Sequence, residues 1–149
     1  MYYIRELEES DYQLGFLSLL GQLNSYEYKL SFSEFRDIFN RITSQKSKFF
    51  VLLIEEKLVG TLKVIEETKF SDNVLHIEDV VIDKDYRGRK FGSILVKYVI
   101  KLYQSSNINL NNKFYKIVLS CNPDKVGFYQ NCKFINKGNE MCYYFKKLN

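Results

Sequence analysis

A short basic loop, Arg87-Gly88-Arg89-Lys90-Phe91-Gly92, stands between a stretch patterned as a strand and one patterned as a helix. That order constrains the fold more than any other feature of the chain. Before the loop, Ile77-Glu78-Asp79-Val80-Val81-Ile82 is rich in β-branched residues, and Asp83-Lys84-Asp85 closes the run. After it, Phe91, Ile94, Leu95, Tyr98, Val99 and Leu102 recur at three- and four-residue steps, the period of an amphipathic helix. A glycine-containing loop that opens a helix leaves backbone N–H groups unpaired. The helix dipole, with Arg87, Arg89 and Lys90, adds positive potential at the same spot. Such a place suits a pyrophosphate. Taken alone, it is equally compatible with a basic turn that caps a helix.

The flanking sequence reads as further strands and helices. Tyr2 to Arg5 alternates as a short strand, and Ser10 or Asp11 is placed to cap a helix holding Leu14, Leu17, Leu19, Leu20 and Leu23. A second helix starts at Ser31 or Ser33 and carries Phe35, Ile38, Phe39 and Ile42. Phe49 to Ile54 and Leu58 to Ile65 form a hairpin around Glu55-Glu56-Lys57, and a strand follows over Leu75 to Ile82. Beyond the basic loop, a helix from about Phe91 to Tyr103 leads into a polar, Asn-rich loop from Ser105 to Lys113. Tyr115 to Leu119 is a strand, Asp124 to Asn131 a short helix, and Phe134-Ile135 with Met141 to Phe145 a closing hairpin around Gly138-Asn139. No repeat and no compositional break divides the 149 residues, so one mixed α/β domain, residues 1–149, accounts for the chain.

Composition narrows the partners. One Pro and seven Gly argue against disorder and against a turn-dense all-β chain. The formal charge of +4 is spread along the sequence, which suits a small anionic ligand and not a nucleic acid duplex. Three cysteines (Cys121, Cys132, Cys142) form no CxxC unit, and a single histidine, His76, leaves little for a metal, so reduced thiols in a cytoplasmic protein are expected. No secretory pattern opens the sequence, and no apolar run approaches the ~20 residues of a membrane span.

The order strand, R-G-x-x-x-G loop, helix, strand, then a short helix exposing Phe128-Tyr129 resembles the GNAT acetyltransferase fold, a mixed central sheet with helices on both faces. Five blocks are similar in order and spacing to the glucosamine 6-phosphate N-acetyltransferase family within it. They are H-I-E-D-V-V-I-D (His76 to Asp83), Y-R-G-R-K-F-G (Tyr86 to Gly92), Y-K-I-V-L-S-C (Tyr115 to Cys121), V-G-F-Y-Q-N-C-K-F (Val126 to Phe134) and M-C-Y-Y-F (Met141 to Phe145). The opening Y-I-R-x-L-E-E-x-D matches too.

The resemblance implies acetyl transfer from acetyl-CoA, without a metal, to the amine of an amino sugar phosphate, an early step toward UDP-N-acetylglucosamine. Arg87, Gly88, Arg89, Lys90, Phe91 and Gly92 would hold the pyrophosphate, and Val80, Val81 and Ile82 would pair their backbone with the pantetheine arm. A backbone N–H there would face the thioester oxygen as it gains charge. Tyr129 would donate a proton to the departing sulfur. As adjacent strand residues, Glu78 and Asp79 point to opposite faces, and the resemblance brings this pair and the Val80 backbone to the sugar. Lys69, in E-x-K-F, and Asn24 would lie near the sugar phosphate. The family's C-terminal strand crosses to a second subunit, so a homodimer with shared sites is expected.

Several positions depart from the family pattern. Ser120 stands where a catalytic carboxylate is usual, Tyr143-Tyr144 where the partner's phosphate-binding arginine is usual, Lys125 for an asparagine, Lys90 for a glycine, and Asn24 for a threonine. Two other readings stay open on these residues: a GNAT enzyme for another amine, and an acyl-CoA-binding module without catalysis.

Overall fold

Five strands, β1 (Tyr2–Glu6), β2 (Ser47–Ile54), β3 (Lys57–Glu67), β4 (Asn73–Ile82) and β5 (Phe114–Val118), pair in that order into one sheet. The first four run antiparallel, and β5 lies parallel to β4, so the sheet is mixed. The computed structural model describes residues 1–106, 114–141, 143 and 144. They fall into two units, Met1–Leu119 and Ser120–Asn149.

Alternation along β2 explains how the sheet takes helices on both faces. Phe49, Val51 and Leu53 point to one side, where they meet Phe16 and Leu19 of α1 (Phe16–Gly21) and Phe35 of α2 (Phe32–Ser44). The Phe16 ring sits edge-on to Phe49 at 5.3 Å and to Phe35 at 6.1 Å. Phe50 points to the opposite side, where its ring meets Tyr98 of α3 (Phe91–Ser106) at 6.0 Å. Leu95, Val96 and Val99 of α3 are fully buried, as its helical spacing requires. Each such side chain contributes about 1.5–3 kcal/mol by leaving water. The β2–β3 hairpin turns through Glu55 and Glu56, both at positive φ (47° and 66°), the twist that a two-residue hairpin loop demands.

The N-terminal helix differs from its expected form. Gly15 sits at φ 84° and breaks it, leaving a single 3₁₀ turn over Glu9–Tyr12 ahead of α1. Asp11 does not cap a long helix. It is fully buried, takes both guanidinium nitrogens of Arg5 at 2.8 Å, and accepts the Glu8 N–H at 2.8 Å. Leu14 and Leu23, expected on the helix stripe, are exposed. In α2 the expected start holds: Ser31 Oγ accepts from the Glu34 N–H, and the Glu34 carboxylate accepts from the Ser31 N–H at 2.7 Å.

Helix α3 continues through Ser105 and Ser106, two residues expected in the Asn-rich loop; 107–113 lie outside the described residues. In the second unit a 3₁₀ turn, Pro123–Lys125, leads into α4 (Val126–Asn131). The closing hairpin is not formed among the described residues: Phe134 to Met141, Tyr143 and Tyr144 carry no strand, and Cys142 and Phe145 lie outside the description. Here Ile135 and Met141 keep 80% and 94% of their surface exposed.

Candidate active site

Strand β4 is irregular where its sequence is most informative. Thr61 pairs with Val81 and Lys63 with Glu78, so Leu62 alone faces both Asp79 and Val80. Asp79 takes up the extra residue at φ 52°, a β-bulge with a left-handed residue. The registers show what this does to the side chains. Phe49, Lys63 and Glu78 form one row across the sheet, and Val51, Thr61 and Val81 form another. Phe49, Val51 and Val81 belong to the core cluster beneath α1 and α2, so Glu78 and Val81 share that face. Simple alternation would have opposed them. The bulge at Asp79 and Val80 is where the alternation shifts, which brings Glu78 and Val81 to the same face. Glu78 is exposed and Asp79 half-buried.

Beside the bulge the sheet parts. Strand β5 pairs with β4 only from Asn73 to His76, while β4 continues to Ile82. Among the described residues, no strand takes up the edge of Ile77 to Ile82 on that side. Its N–H and C=O groups can serve an extended ligand as a neighbouring strand would. Val80 and Ile82 are half-buried and Val81 is buried.

The edge leads directly into the basic loop. Asp83 ties the exit: its N–H donates to Val59 O at 2.8 Å and its carboxylate accepts the Asp85 N–H at 2.9 Å. The Arg87 Nε–H donates back to Ile82 O at 2.9 Å. Gly88 (φ 75°) and Lys90 (φ 67°) both adopt the left-handed conformation, and an added Cβ on Gly88 would touch nothing. Ile94 donates to Lys90 O, the first helical bond of α3, so the N–H groups of Phe91 and Gly92 have no acceptor within the helix. Arg87, Arg89 and Lys90 are exposed around them, and the first turn of α3 holds no acidic residue. Three cations at the positive end of a helix repel it. An anion seated there would relieve that repulsion and meet the free N–H groups.

The residues expected at the sugar phosphate lie elsewhere on the first unit. Lys69 is exposed, its Nζ 4.0 Å from Glu67. The other oxygen of Glu67 meets His76 Nε2 at 2.7 Å, and this contact first, with Lys69 adding, holds the Glu67 carboxyl below its usual range. Asn24 is exposed in the turn after α1.

In the second unit, Tyr129 packs edge-on against Phe128 at 4.9 Å and Phe134 at 5.7 Å. Burial, and then the Cys121 and Cys132 thiols, push its phenol up to about 12. Ser120 is exposed, as are Tyr143 and Tyr144.

Sequence reasoning missed one part of the first unit. An open groove of ≈ 630 Å³ is lined by Ser18, Gln22, Tyr26, Tyr28, Lys84 and Arg87 among others. Its signal was Tyr26-Glu27-Tyr28, two aromatics that fit neither helix beside them.

Among the described residues, no group of three or more His, Cys, Asp or Glu is placed to hold a metal, and no helix is long and apolar enough to cross a membrane.

Comparison with known proteins agrees with this geometry. Residues 2–134 match the acetyltransferase (GNAT) family model. The chain is 35% identical to glucosamine 6-phosphate N-acetyltransferase of Arabidopsis thaliana, over 95% of each sequence. It is 31% identical to the Candida albicans protein of the same name, over 94% of this chain and 93% of that one. The crystal structure of the Arabidopsis thaliana glucosamine-6-phosphate N-acetyltransferase superposes with a TM-score of 0.86, covering 98% of this chain and 99% of that one at 33% identity. A bulged strand, a sheet that parts beside it, a basic glycine loop at a helix N-terminus and these full-length likenesses together place the chain in the acetyltransferase (GNAT) family.

Proposed function

We propose that the chain transfers acetyl from acetyl-CoA to the amine of D-glucosamine 6-phosphate, releasing CoA and N-acetyl-D-glucosamine 6-phosphate, in UDP-N-acetylglucosamine biosynthesis. The observation that carries this reading is the unpaired edge of β4, which runs from the bulge at Asp79 into the loop that opens α3. GNAT acetyltransferases use acetyl-CoA as co-substrate, and this chain offers groups for each part of it. Gly88 to Gly92 take the pyrophosphate on backbone N–H groups, with Arg87, Arg89 and Lys90 supplying charge. Val80, Val81 and Ile82 pair with the pantetheine arm, and an N–H at the bulge faces the carbonyl oxygen as it becomes negative.

The amine nitrogen attacks the carbonyl carbon, the C–S bond breaks, and nitrogen gives up a proton. Holding both reactants in line supplies much of the acceleration. Glu78, Asp79 and the Val80 backbone hold the amino sugar, Lys69 and Asn24 face its phosphate, and Tyr129 donates to the leaving sulfur. Ser120 accepts a hydrogen bond on the amine side, where it carries no charge. The chain works in the cytoplasm as a homodimer in which Tyr144 reaches the partner's sugar site.

The test is release of CoA from acetyl-CoA by purified protein with glucosamine 6-phosphate, glucosamine and a panel of unrelated amines. Turnover should be fastest with glucosamine 6-phosphate, and Lys69→Ala should raise its KM well above any change for acetyl-CoA. Equal rates with and without the sugar phosphate would overturn the assigned substrate.

A further inference from the structure

The groove missed by sequence reasoning has a definite construction. Helix α1 ends at Gly21, and the chain reverses through Ser25, a left-handed residue at φ 53°. The Tyr26 N–H then donates to Gly21 O at 2.9 Å. A Cβ on Gly21 would collide with the carbonyl oxygen of Tyr26, and Tyr28 Cδ2 lies 3.6 Å from the same point. Only glycine lets the Tyr26–Tyr28 segment settle on the last turn of α1.

Gln22 fixes that turn to the exit of β4. Its side-chain Oε1 accepts the Lys84 N–H at 2.9 Å, and its Nε2 donates to the Asp83 carboxylate at 3.3 Å. The tyrosine segment is therefore tied to the strand that carries the bulge and the basic loop. The two rings stand edge to face, 4.8 Å apart, yet keep 62% and 37% of their surface exposed. Two tyrosines seated on the last turn of α1 and left open form a binding surface more than a core. Burial raises the Tyr28 phenol, and the Asp79 carboxylate, then Tyr26, raise it further.

We infer that Tyr26 and Tyr28 are specificity-determining residues on the acceptor side, receiving the C–H face of an amino sugar ring while Asp79 holds its ammonium. A pyranose presents axial C–H bonds to an aromatic face, and a protonated amine is drawn both to a carboxylate and to a π cloud. A ring-free amine has no such face to offer. The inference rests on the proposed function, since it names how that substrate class is chosen.

The experiment compares Tyr28→Ala, Tyr28→Phe and Tyr26→Ala with wild type, each confirmed as folded by its melting curve. Substrates are glucosamine 6-phosphate and O-phosphoethanolamine, an amine with a phosphate and no ring. Tyr28→Ala should raise the KM for glucosamine 6-phosphate about tenfold, with kcat and the KM for acetyl-CoA held within about twofold. Its preference for the sugar over O-phosphoethanolamine should shrink accordingly. Tyr28→Phe, which keeps the ring, should recover most of the loss, and exposed Tyr26→Ala gives the same reading should Tyr28→Ala fail to fold. An equal or larger rise in the acetyl-CoA KM would make the groove a cofactor wall and overturn the inference. Unchanged sugar KM in both alanine variants would overturn it as well, while leaving the proposed function standing. A wild-type protein silent on glucosamine 6-phosphate would overturn both.

Discussion

Tyr129 is the proposed proton donor, and its surroundings keep it in the donating form. With its phenol at about 12, it stays protonated across the physiological range. In the proposed reaction that proton is the one donated to the departing sulfur. Tyr129→Phe should lower kcat by roughly 10²–10⁴-fold with acetyl-CoA affinity unchanged, as read by steady-state rates beside a binding isotherm. Wild-type turnover in that variant would leave Tyr129 as a packing residue. The same shift has a sign for stability: a phenol kept neutral by folding contributes fully below pH 10, the ordinary value, and loses that contribution as pH rises through about 12. A melting series should therefore fall more steeply over that window in wild type than in Tyr129→Phe. In the basic loop, Gly88→Ala has room for its methyl but not the conformation. It should cost about 1–2 kcal/mol in denaturant titration through strain alone. Gly92→Asp places a carboxylate where an anion is expected and should abolish the rise in Tm that acetyl-CoA produces in wild type.

Among the elements, those with one strong local signal were legible in the sequence. Ser31 and Glu34 announce the start of α2, and the unbroken apolar run from Phe49 to Ile54 announces a strand buried on both faces. Ser31→Ala should cost about 1 kcal/mol on a thermal or denaturant curve, the usual worth of such a cap. The first helix was misread because Leu14 to Leu23 carries a convincing apolar pattern, and nothing local reveals that Gly15 breaks it. Asp11 was misread for a related reason. Its partner, Arg5, lies in a strand, and a pairing between elements leaves no periodic trace. Removing that partner should be severe: Arg5→Ala strands a fully buried carboxylate and should cost about 3 kcal/mol or more in denaturant titration. The basic loop and the I-E-D-V-V block could be read directly, whereas the bulge at Asp79 could not. A left-handed aspartate is set by the pairing of β3 with β4, which becomes visible only once the registers are known.

For the molecule as a whole, the open question of assembly has a direct test. Ile135, Met141, Tyr143 and Tyr144 are exposed to between 62% and 94%, and the proposed dimer would draw on this segment. Light scattering should report a dimer at working concentration, and a monomer that retains full activity would defeat the shared-site model. The parting of β4 from β5 bears on the protein's life outside the catalytic cycle. A strand edge left open for a substrate is open to any extended peptide, including the same edge on another copy. With acetyl-CoA seated along that edge as proposed, the bound protein would hide it, and turbidity of a concentrated sample should rise more slowly with acetyl-CoA present than without.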